Sequence, residues 1–425
     1  LVQRQTVSFD HAWRFHLGDV AGAQELAFAD SGWRTLDLPH DWSIEGEFSE
    51  QNPAGVAGGA LPGGVGWYRK TFTMPAADSG KVVFVEFDGV YRNSEVWING
   101  QYLGKRPYGY SSFRYELTPH LRYRGRNVIA VRVDNSQQPN SRWYSGSGIY
   151  RHVRLVTTNP LHVDQWGTYV TTPSVSDDSS RVTIRTTLRN ERHSEQPVVL
   201  QTTVYDSGGK QVATVSVVAR VAADSVTEIA QDLTIARPVR WSLERPYLYR
   251  AVSRVMCGDK SCDDYATPFG VRSFVFRADS GFFLNGHPVK IRGVCLHHDL
   301  GALGAAVNTR AIERQLEIMR AMGANALRTS HNPPAPELLD LTDRMGIIVL
   351  DEAFDMWKKE KTKYDYHLDW DAWHVRDLSA MVRRDRNHPS VFMWSIGNEV
   401  MEQWTNDDST AAPIARELAG IVHAL

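Results

Sequence analysis

The chain has 425 residues, a formal net charge of −2 and a charged fraction of 23%. Domain sizes of about 100 to 200 residues indicate two or three domains. Because Lys and Arg residues are scattered among acids, the overall charge does not attract nucleic acid or anionic lipid. A neutral partner is therefore favoured. No apolar run approaches the roughly 20 residues of a membrane helix, so we expect neither nucleic acid nor membrane as a partner.

The first segment, residues 1–158, reads as a β-sandwich. Short alternating runs at 81–87, 94–98 and 127–133 predict strands, and Asn99-Gly100 is a strong hairpin-turn signal. Strands spaced by about ten residues without a helical period indicate a jelly-roll sandwich, of a kind that binds sugars in other proteins. The glycine-rich stretch 52–66 is predicted to be a long loop.

The second segment, residues 159–276, is also all-β. Alternation at 181–188 and 198–204, with a turn at 207–210, predicts an immunoglobulin-like sandwich. Cys257 and Cys262 either close one hairpin of this segment through a disulfide or stay reduced, and three Cys residues cannot form a disulfide framework. A disulfide would favour a periplasmic or secreted protein over a cytoplasmic one.

From residue 277 the apolar period changes from two to 3.6. A buried strand is predicted at 289–295, followed in order by elements that alternate between helix and strand: 309–322, 324–328, 336–345, 347–350, 370–384 and 391–396. Four strand–helix units predict the first half of a (β/α)8 TIM barrel over residues 277–425.

Polar residues follow each predicted barrel strand, where the active site of a barrel lies. They are His297-His298-Asp299, then Arg328 and His331, then Asp351, Glu352, Asp355 and Trp357, and last Asn398-Glu399. A strand-end carboxylic acid beside an amide, His and Trp suits the cleavage of a glycosidic bond, in which the leaving oxygen must be protonated. Glu399 has that position, although an isolated Asn-Glu pair is also an ordinary helix start.

Four stretches together resemble glycoside hydrolase family 2, in the order of that family and over essentially the whole chain. They read SRWYSGSGIYR at 141–151, IRGVCLHHD at 291–299, LRTSHNP at 327–333, and DRNHPSV running into WSIGNE at 385–399. The HHDLG run at 297–301, followed by LGAA at 303–306, is most like the β-galactosidases of the family, which is an analogy.

The resemblance implies a role for each matching residue. Glu399 matches the general acid/base, and Asn398 matches the residue that holds the sugar 2-hydroxyl. Arg328 matches an arginine that orients the nucleophile, and His331 a histidine that contacts the sugar. His297, His298 and Asp299 lie in the segment that lines the sugar subsite.

Other interpretations of these residues stay open at this stage. His298 and His331 could instead be structural imidazoles, and Trp357 could be a packed loop tryptophan and not a platform for the sugar. His388 is expected to be structural, at the far end of the barrel. Asp351 and Glu352 are expected to accept hydrogen bonds and to help place Arg328 or the sugar.

Two features depart from the family pattern. Magnesium-dependent members carry Glu and His after the third strand, whereas this sequence reads Asp355-Met356-Trp357-Lys358, and Met and Lys do not serve a hard cation. We therefore expect no metal and no other cofactor. A retaining enzyme also needs a nucleophilic carboxylate about 5 to 5.5 Å from the acid, which the family takes from a later strand that this sequence lacks. Either a longer polypeptide or a second chain is expected to supply it, and a homo-oligomer is also conceivable.

The predicted function is that of a retaining exo-glycosidase. It would hydrolyse terminal β-D-galactosides of oligosaccharides or glycoconjugates through a glycosyl-enzyme intermediate. The alternatives are a β-glucuronidase or β-mannosidase of the same family, and a non-catalytic carbohydrate-binding protein.

Overall fold

A computed structural model describes residues 4–404 and 409–425. The first unit is a sandwich of two antiparallel sheets, ordered β1-β10-β5-β8 and β3-β2-β4-β9-β6-β7. Its strands are β1 Gln5–Ser8, β2 Trp13–Leu17, β3 Arg34–Leu36, β4 Gly64–Thr73, β5 Val82–Phe87, β6 Ser94–Ile98, β7 Gln101–Arg106, β8 Phe113–Glu116, β9 Arg126–Asn135 and β10 Val153–Thr158.

Alternation of apolar and polar residues explains how the two sheets of the first unit pack. Every second residue of β5 and β9 points inward, so Val83, Val85, Phe87 and Ile129 share one buried core with Trp13. Asn99 and Gly100 both have positive φ, 52° and 84°, as a tight hairpin turn between β6 and β7 requires. This turn prediction is confirmed.

The second unit is a seven-stranded sandwich with sheets ordered β11-β12-β15 and β14-β13-β16-β17. Its strands are β11 Leu161–Val175, β12 Ser179–Asn190, β13 Gln196–Tyr205, β14 Gln211–Val221, β15 Ser225–Ala236, β16 Tyr249–Cys257 and β17 Lys260–Phe269. A disulfide joins Cys257 to Cys262 across the β16–β17 hairpin. A small antiparallel sheet leads to the third unit, with strands β18 Phe274–Arg277, β19 Gly281–Leu284 and β20 His287–Pro288.

The third unit is a parallel sheet in chain order, β21-β22-β23-β24, accompanied by helices. Its elements are β21 Gly293–Leu296, α1 Thr309–Ala321, β22 Ala326–Thr329, α2 Pro336–Met345, β23 Ile348–Glu352, α3 Trp370–Asp385, β24 Val391–Ser395 and α4 Ala411–Ala424. Strands that pair in sequence order with a helix after each one form the first four units of a (β/α)8 barrel, as predicted.

The first barrel strand differs from its prediction. The sequence predicts a buried strand at 289–295, whereas β21 begins at Gly293, and Gly293 and Cys295 are exposed. The reason is that β21 pairs with β22 on one side only, so its outer side lacks a neighbour within the described residues.

Polar contacts join both sandwiches to the barrel unit. The buried guanidinium of Arg151, from the first sandwich, donates to the carbonyls of Pro333 and Pro334 beyond β22, at 2.8 and 3.1 Å. From the second sandwich, Trp241 Nε1 donates to the Asp343 carbonyl at 2.8 Å. His388 Nδ1, just before β24, donates to Asp343 Oδ2 at 2.6 Å, which supports its structural interpretation. None of the described helices is long and apolar enough to cross a membrane.

Candidate active site

The predicted site residues converge where β22, β23 and β24 end. Glu352, the last residue of β23, has a fully buried side chain and accepts four hydrogen bonds. Arg328 donates to it through Nε at 2.8 Å and Nη2 at 3.1 Å, His331 Nδ1 at 2.6 Å, and Ser395 Oγ at 2.6 Å. Burial alone would lower the pKa of Arg328, but the hydrogen bonds and charge of Glu352 raise it. Glu352 therefore fixes both Arg328 and His331.

Asn398, just beyond β24, is held on both sides of its amide. Its Oδ1 accepts from Arg328 Nη2 at 2.7 Å, and its Nδ2 donates to Asp355 Oδ1 at 2.8 Å. Its backbone carbonyl accepts from Lys361 Nζ at 2.6 Å. Only 5% of the residue is exposed, so one orientation of the amide is enforced.

Asp355 is the second carboxylate on which the site is built. Arg142 of the first sandwich binds it with two hydrogen bonds, Nε to Oδ2 at 2.9 Å and Nη2 to Oδ1 at 2.6 Å, and Lys361 Nζ donates to Oδ1 at 2.9 Å. Burial alone would raise the pKa of Asp355, but hydrogen bonds from Arg142, Asn398 and Lys361 outweigh burial and lower it. Asp355 is thus an anion that joins the first sandwich to the barrel.

Glu399 projects from the strand ends with a strained backbone. Its φ of 41° lies in the left-handed region, which non-glycine residues rarely adopt and which is often found at functional sites. The side chain is 59% exposed, and its Oε2 lies 3.3 Å from both Nη1 and Nη2 of Arg142. The carboxyl group of Glu399 is therefore accessible to a ligand, and the guanidinium of Arg142 contacts it.

Aromatic and imidazole rings form one wall of the site. The rings of Trp143 and His297 stack at 5.0 Å, and His331 lies edge-on to both at 5.5 Å. Burial and the neighbouring His331 lower the pKa of His297, so this imidazole is neutral at pH 7. Asp299 is half-buried, and its charge acts on His297 and Tyr144. A small cavity of about 20 Å³ between the first sandwich and the barrel is lined by Trp143, His331 and Asp355.

His298 and Trp357, two of the predicted substrate-binding residues, are held by contacts with the surrounding protein. His298 stands between the rings of Tyr110 and Tyr150 and donates through Nε2 to the Ser145 carbonyl at 3.2 Å, and burial lowers its pKa to about 3. Trp357 is 5% exposed, because its indole packs near Trp370 and donates to the Ile396 carbonyl at 2.8 Å. These contacts support the structural interpretation of both residues.

Of the two residues that end β23, Glu352 fulfils its prediction and Asp351 does not. Successive side chains of a strand point to opposite faces. Asp351 consequently points away from Arg328, and its neighbours are Asp385 and Arg384 of the α3 segment. Burial and the charge of Asp385 raise the pKa of Asp351.

Arg142 and Lys361 were not predicted to belong to the site, and Asp355 was predicted only as a polar residue that follows the third barrel strand. Arg142 lies within the stretch 141–151 that carries the family resemblance, so the motif was a usable signal for it. Its partner Glu399 is 257 positions away, however, and no local pattern predicts that contact. Lys361 follows β23 in a loop without a recognisable motif. Within the part of the chain that the structure describes, no group of three or more His, Cys, Asp or Glu side chains could hold a metal ion.

An exposed carboxyl group at the end of a barrel strand, beside a fixed amide, an arginine and two imidazoles, has the placement that glycosidic bond cleavage requires of one of its two carboxyl groups. Three family models match the chain in order: the sugar binding domain of glycosyl hydrolases family 2 at 8–159, glycosyl hydrolases family 2 at 161–272, and the family 2 TIM barrel domain at 276–418. The chain belongs to glycoside hydrolase family 2.

Similar proteins include enzymes with two activities. The chain is 56% identical over 419 residues to the β-galactosidase BoGH2A of Bacteroides ovatus, covering 99% of this chain and 49% of that protein. It is 30% identical over 421 residues to a β-glucuronidase of Formosa agariphila, covering 93% of this chain and 42% of that protein.

A solved structure of a family 2 member from Bacteroides cellulosilyticus has a TM-score of 0.96 and 44% identity, covering all of this chain and 55% of that one. The chain thus spans about half the length of the relatives it matches.

Proposed function

We propose that the protein containing this chain is a retaining β-galactosidase in which Glu399 is the general acid/base. The observation that carries the proposal is the placement of Glu399, an open carboxyl group one residue beyond the buried Asn398 at the end of β24. Included in the proposal is the division of the chain at 1–158, 159–276 and 277–425.

The reaction would proceed in two steps that share Glu399. In the first, the Glu399 carboxylic acid donates its proton to the glycosidic oxygen while a second carboxylate attacks the anomeric carbon, and the aglycone leaves as an alcohol. In the second, the Glu399 carboxylate removes a proton from water, the water oxygen attacks the anomeric carbon, and the bond from that carbon to the second carboxylate breaks, which releases the sugar with retained configuration. We propose that a later strand of the longer protein supplies the second carboxylate.

The neighbours of Glu399 have matching roles in the proposal. Asn398 would hold the sugar 2-hydroxyl, and Arg328, fixed by Glu352, would orient the nucleophile. His331, His297 and Asp299 would line the sugar subsite. Arg142 would be a positioning residue, because its guanidinium joins Glu399 to the Asp355 anion.

Both the charges in the site and the similarity to known enzymes favour a neutral galactoside over a glucuronide as the substrate. A uronate carboxylate is bound most strongly by a cation, and in the described part of the site Arg142, Arg328 and Lys361 each bind a protein carboxylate already. The relative at 56% identity is a β-galactosidase, whereas a putative β-glucuronidase and a β-glucuronidase, both of Formosa agariphila, are 40% and 30% identical. The substrate class we propose is therefore a β-galactoside of an oligosaccharide or glycoconjugate.

The test is hydrolysis of chromogenic β-galactoside, β-glucuronide and β-mannoside by the full-length protein, with Glu399→Gln and, as a matched control, Glu313→Gln on the exposed side of α1. We expect galactoside turnover that Glu399→Gln lowers by at least about 100-fold and Glu313→Gln preserves. If the glucuronide or the mannoside were hydrolysed faster than the galactoside, the protein would be a β-glucuronidase or a β-mannosidase instead. No turnover of any of the three would favour a non-catalytic carbohydrate-binding protein.

A further inference from the structure

A groove of about 360 Å³ lies at the junction of the two sandwiches and α3. Its walls come from the ends of β7 and β8, a bulge in β11, and one face of α3, and it shares no lining residue with the candidate active site. The lining includes four arginines and no carboxylate: Arg106, Arg114, Arg376 and Arg383. We call it the arginine groove. Its volume is within the range of about 300 to 1,000 Å³ that is typical of ligand sites.

Three of the four arginines have no carboxylate hydrogen bond within residues 4–404 and 409–425. Arg114 is paired with Asp164, which also binds Arg189 at 2.7 Å. Arg376 and Arg383 lie two turns apart on the exposed side of α3. The groove therefore presents positive charge that the surrounding protein only partly neutralises.

Arg106 makes the strongest case for an anionic ligand. Its side chain is buried, its Nε has no hydrogen-bond partner in the described structure, and its guanidinium lies over the rings of Phe113 and Trp373 at 5.5 and 5.3 Å. Buried charges are normally paired, because desolvation is costly. The pKa of Arg106 is lowered by burial and by the charge of Arg376, only partly offset by Tyr115 and Asp377. An anion bound between Arg106 and Arg376 would neutralise this excess of positive charge.

An aromatic residue at the groove narrows the ligand class further. Trp166 lines it from the β11 bulge, where its φ is 50° and its carbonyl accepts from Arg386 Nη2 at 3.3 Å. Indole faces stack on the apolar faces of sugars, and guanidinium groups bind sulfate and carboxylate groups in bidentate fashion. Nucleic acid is disfavoured, because its binding proteins are strongly basic whereas this chain has a net charge of −2.

We propose that the arginine groove binds a segment of an anionic polysaccharide, one that carries sulfate or carboxylate groups, at a site separate from the candidate active site. The choice of a carbohydrate as the ligand rests on the proposed function, whereas the need for an anion rests on the arginines alone. Such a site would retain the enzyme on a charged polymer while the active site acts on neutral terminal sugars.

The test is titration calorimetry on the full-length protein with four probes: a dextran sulfate oligosaccharide, an oligogalacturonate, unmodified dextran and sodium sulfate. We expect binding of at least one anionic oligosaccharide and none of dextran, with affinity that falls as salt is raised. The double variant Arg376→Gln/Arg383→Gln should weaken that binding at least tenfold. Arg320→Gln, an exposed arginine of α1, is the matched control and should leave it unchanged.

Separate outcomes bear on separate parts of the proposal. Trp166→Ala should weaken binding of the oligosaccharide but not of sulfate, and sulfate bound as tightly as the oligosaccharides would reduce the groove to a simple ion site and overturn the proposal. Absence of binding by both anionic oligosaccharides, or equal loss in Arg320→Gln, would also overturn it. Because binding is measured without turnover, a protein that hydrolyses no galactoside still tests the groove.

Discussion

Arg142 and Glu399 meet across the boundary between the first sandwich and the barrel, with both Nη atoms of the arginine 3.3 Å from Oε2 of the glutamate. The same guanidinium makes two shorter hydrogen bonds to the buried Asp355. The orientation of the proposed acid/base thus depends on how the first sandwich docks against the barrel.

Arg142→Gln should lower kcat/KM roughly 10- to 100-fold, because each hydrogen bond to a charged group contributes about 1.5–3 kcal/mol. Arg142→Lys keeps the charge but loses the bidentate geometry, so we expect an intermediate value. Steady-state kinetics on a phenyl and a dinitrophenyl β-galactoside would separate positioning from folding. A positioning role requires a larger loss on the phenyl substrate, whose poor leaving group needs the proton. Equal losses on both substrates would contradict it.

Glu352→Gln should destabilise the protein by about 3 kcal/mol, because removing one charge of a buried ion pair leaves Arg328 without its counter-ion. Urea unfolding monitored by tryptophan fluorescence measures this change. Glu317→Gln removes an exposed partner of Arg310 on α1 and serves as the control, for which we expect little effect. Indistinguishable unfolding midpoints for the two variants would show that the Glu352 network does not stabilise the barrel unit.

The pair of His388 and Asp343 predicts a stability change at alkaline pH. Burial alone would lower the pKa of His388, but the charge and hydrogen bond of Asp343 raise it from 6.5 to about 9. A raised pKa stabilises the folded state fully below pH 6.5, and the contribution, about 3 kcal/mol at most, is lost as the pH rises through 9. The free energy of unfolding should therefore fall by more between pH 6 and pH 10 in the parent protein than in His388→Asn. A parallel fall in both would contradict the assignment.

The sequence predicted the three-part fold because its signals are local. Apolar alternation, the Asn99-Gly100 turn and the change of period after residue 276 each act within a few residues, and they correspond to strands, a hairpin and strand–helix units in the structure. The exposure of β21 was not predictable in this way, because the exposure of a strand depends on which strands pair beside it.

The positions of site residues could be predicted where those residues follow a barrel strand directly. They could not be predicted where they depend on contacts with distant residues. Arg328, His331, Asn398 and Glu399 converge because each follows a parallel strand. The burial of His298 and Trp357 depends on distant rings, Tyr110 and Tyr150 for the histidine and Trp370 for the tryptophan. Strand alternation indicates that Asp351 and Glu352 point to opposite faces, but only the packed structure shows which of them faces Arg328.

The most direct test of the account is the dependence of Glu399→Ala on the leaving group. The full-length variant would be assayed with phenyl and dinitrophenyl β-galactosides, with and without azide. If Glu399 is the acid/base, phenyl galactoside turnover should fall by at least about 100-fold, consistent with general acid catalysis. The first step on the dinitrophenyl substrate should stay fast, and azide should yield β-galactosyl azide. Equal loss on both substrates without azide rescue would contradict the assignment of Glu399 as the acid/base.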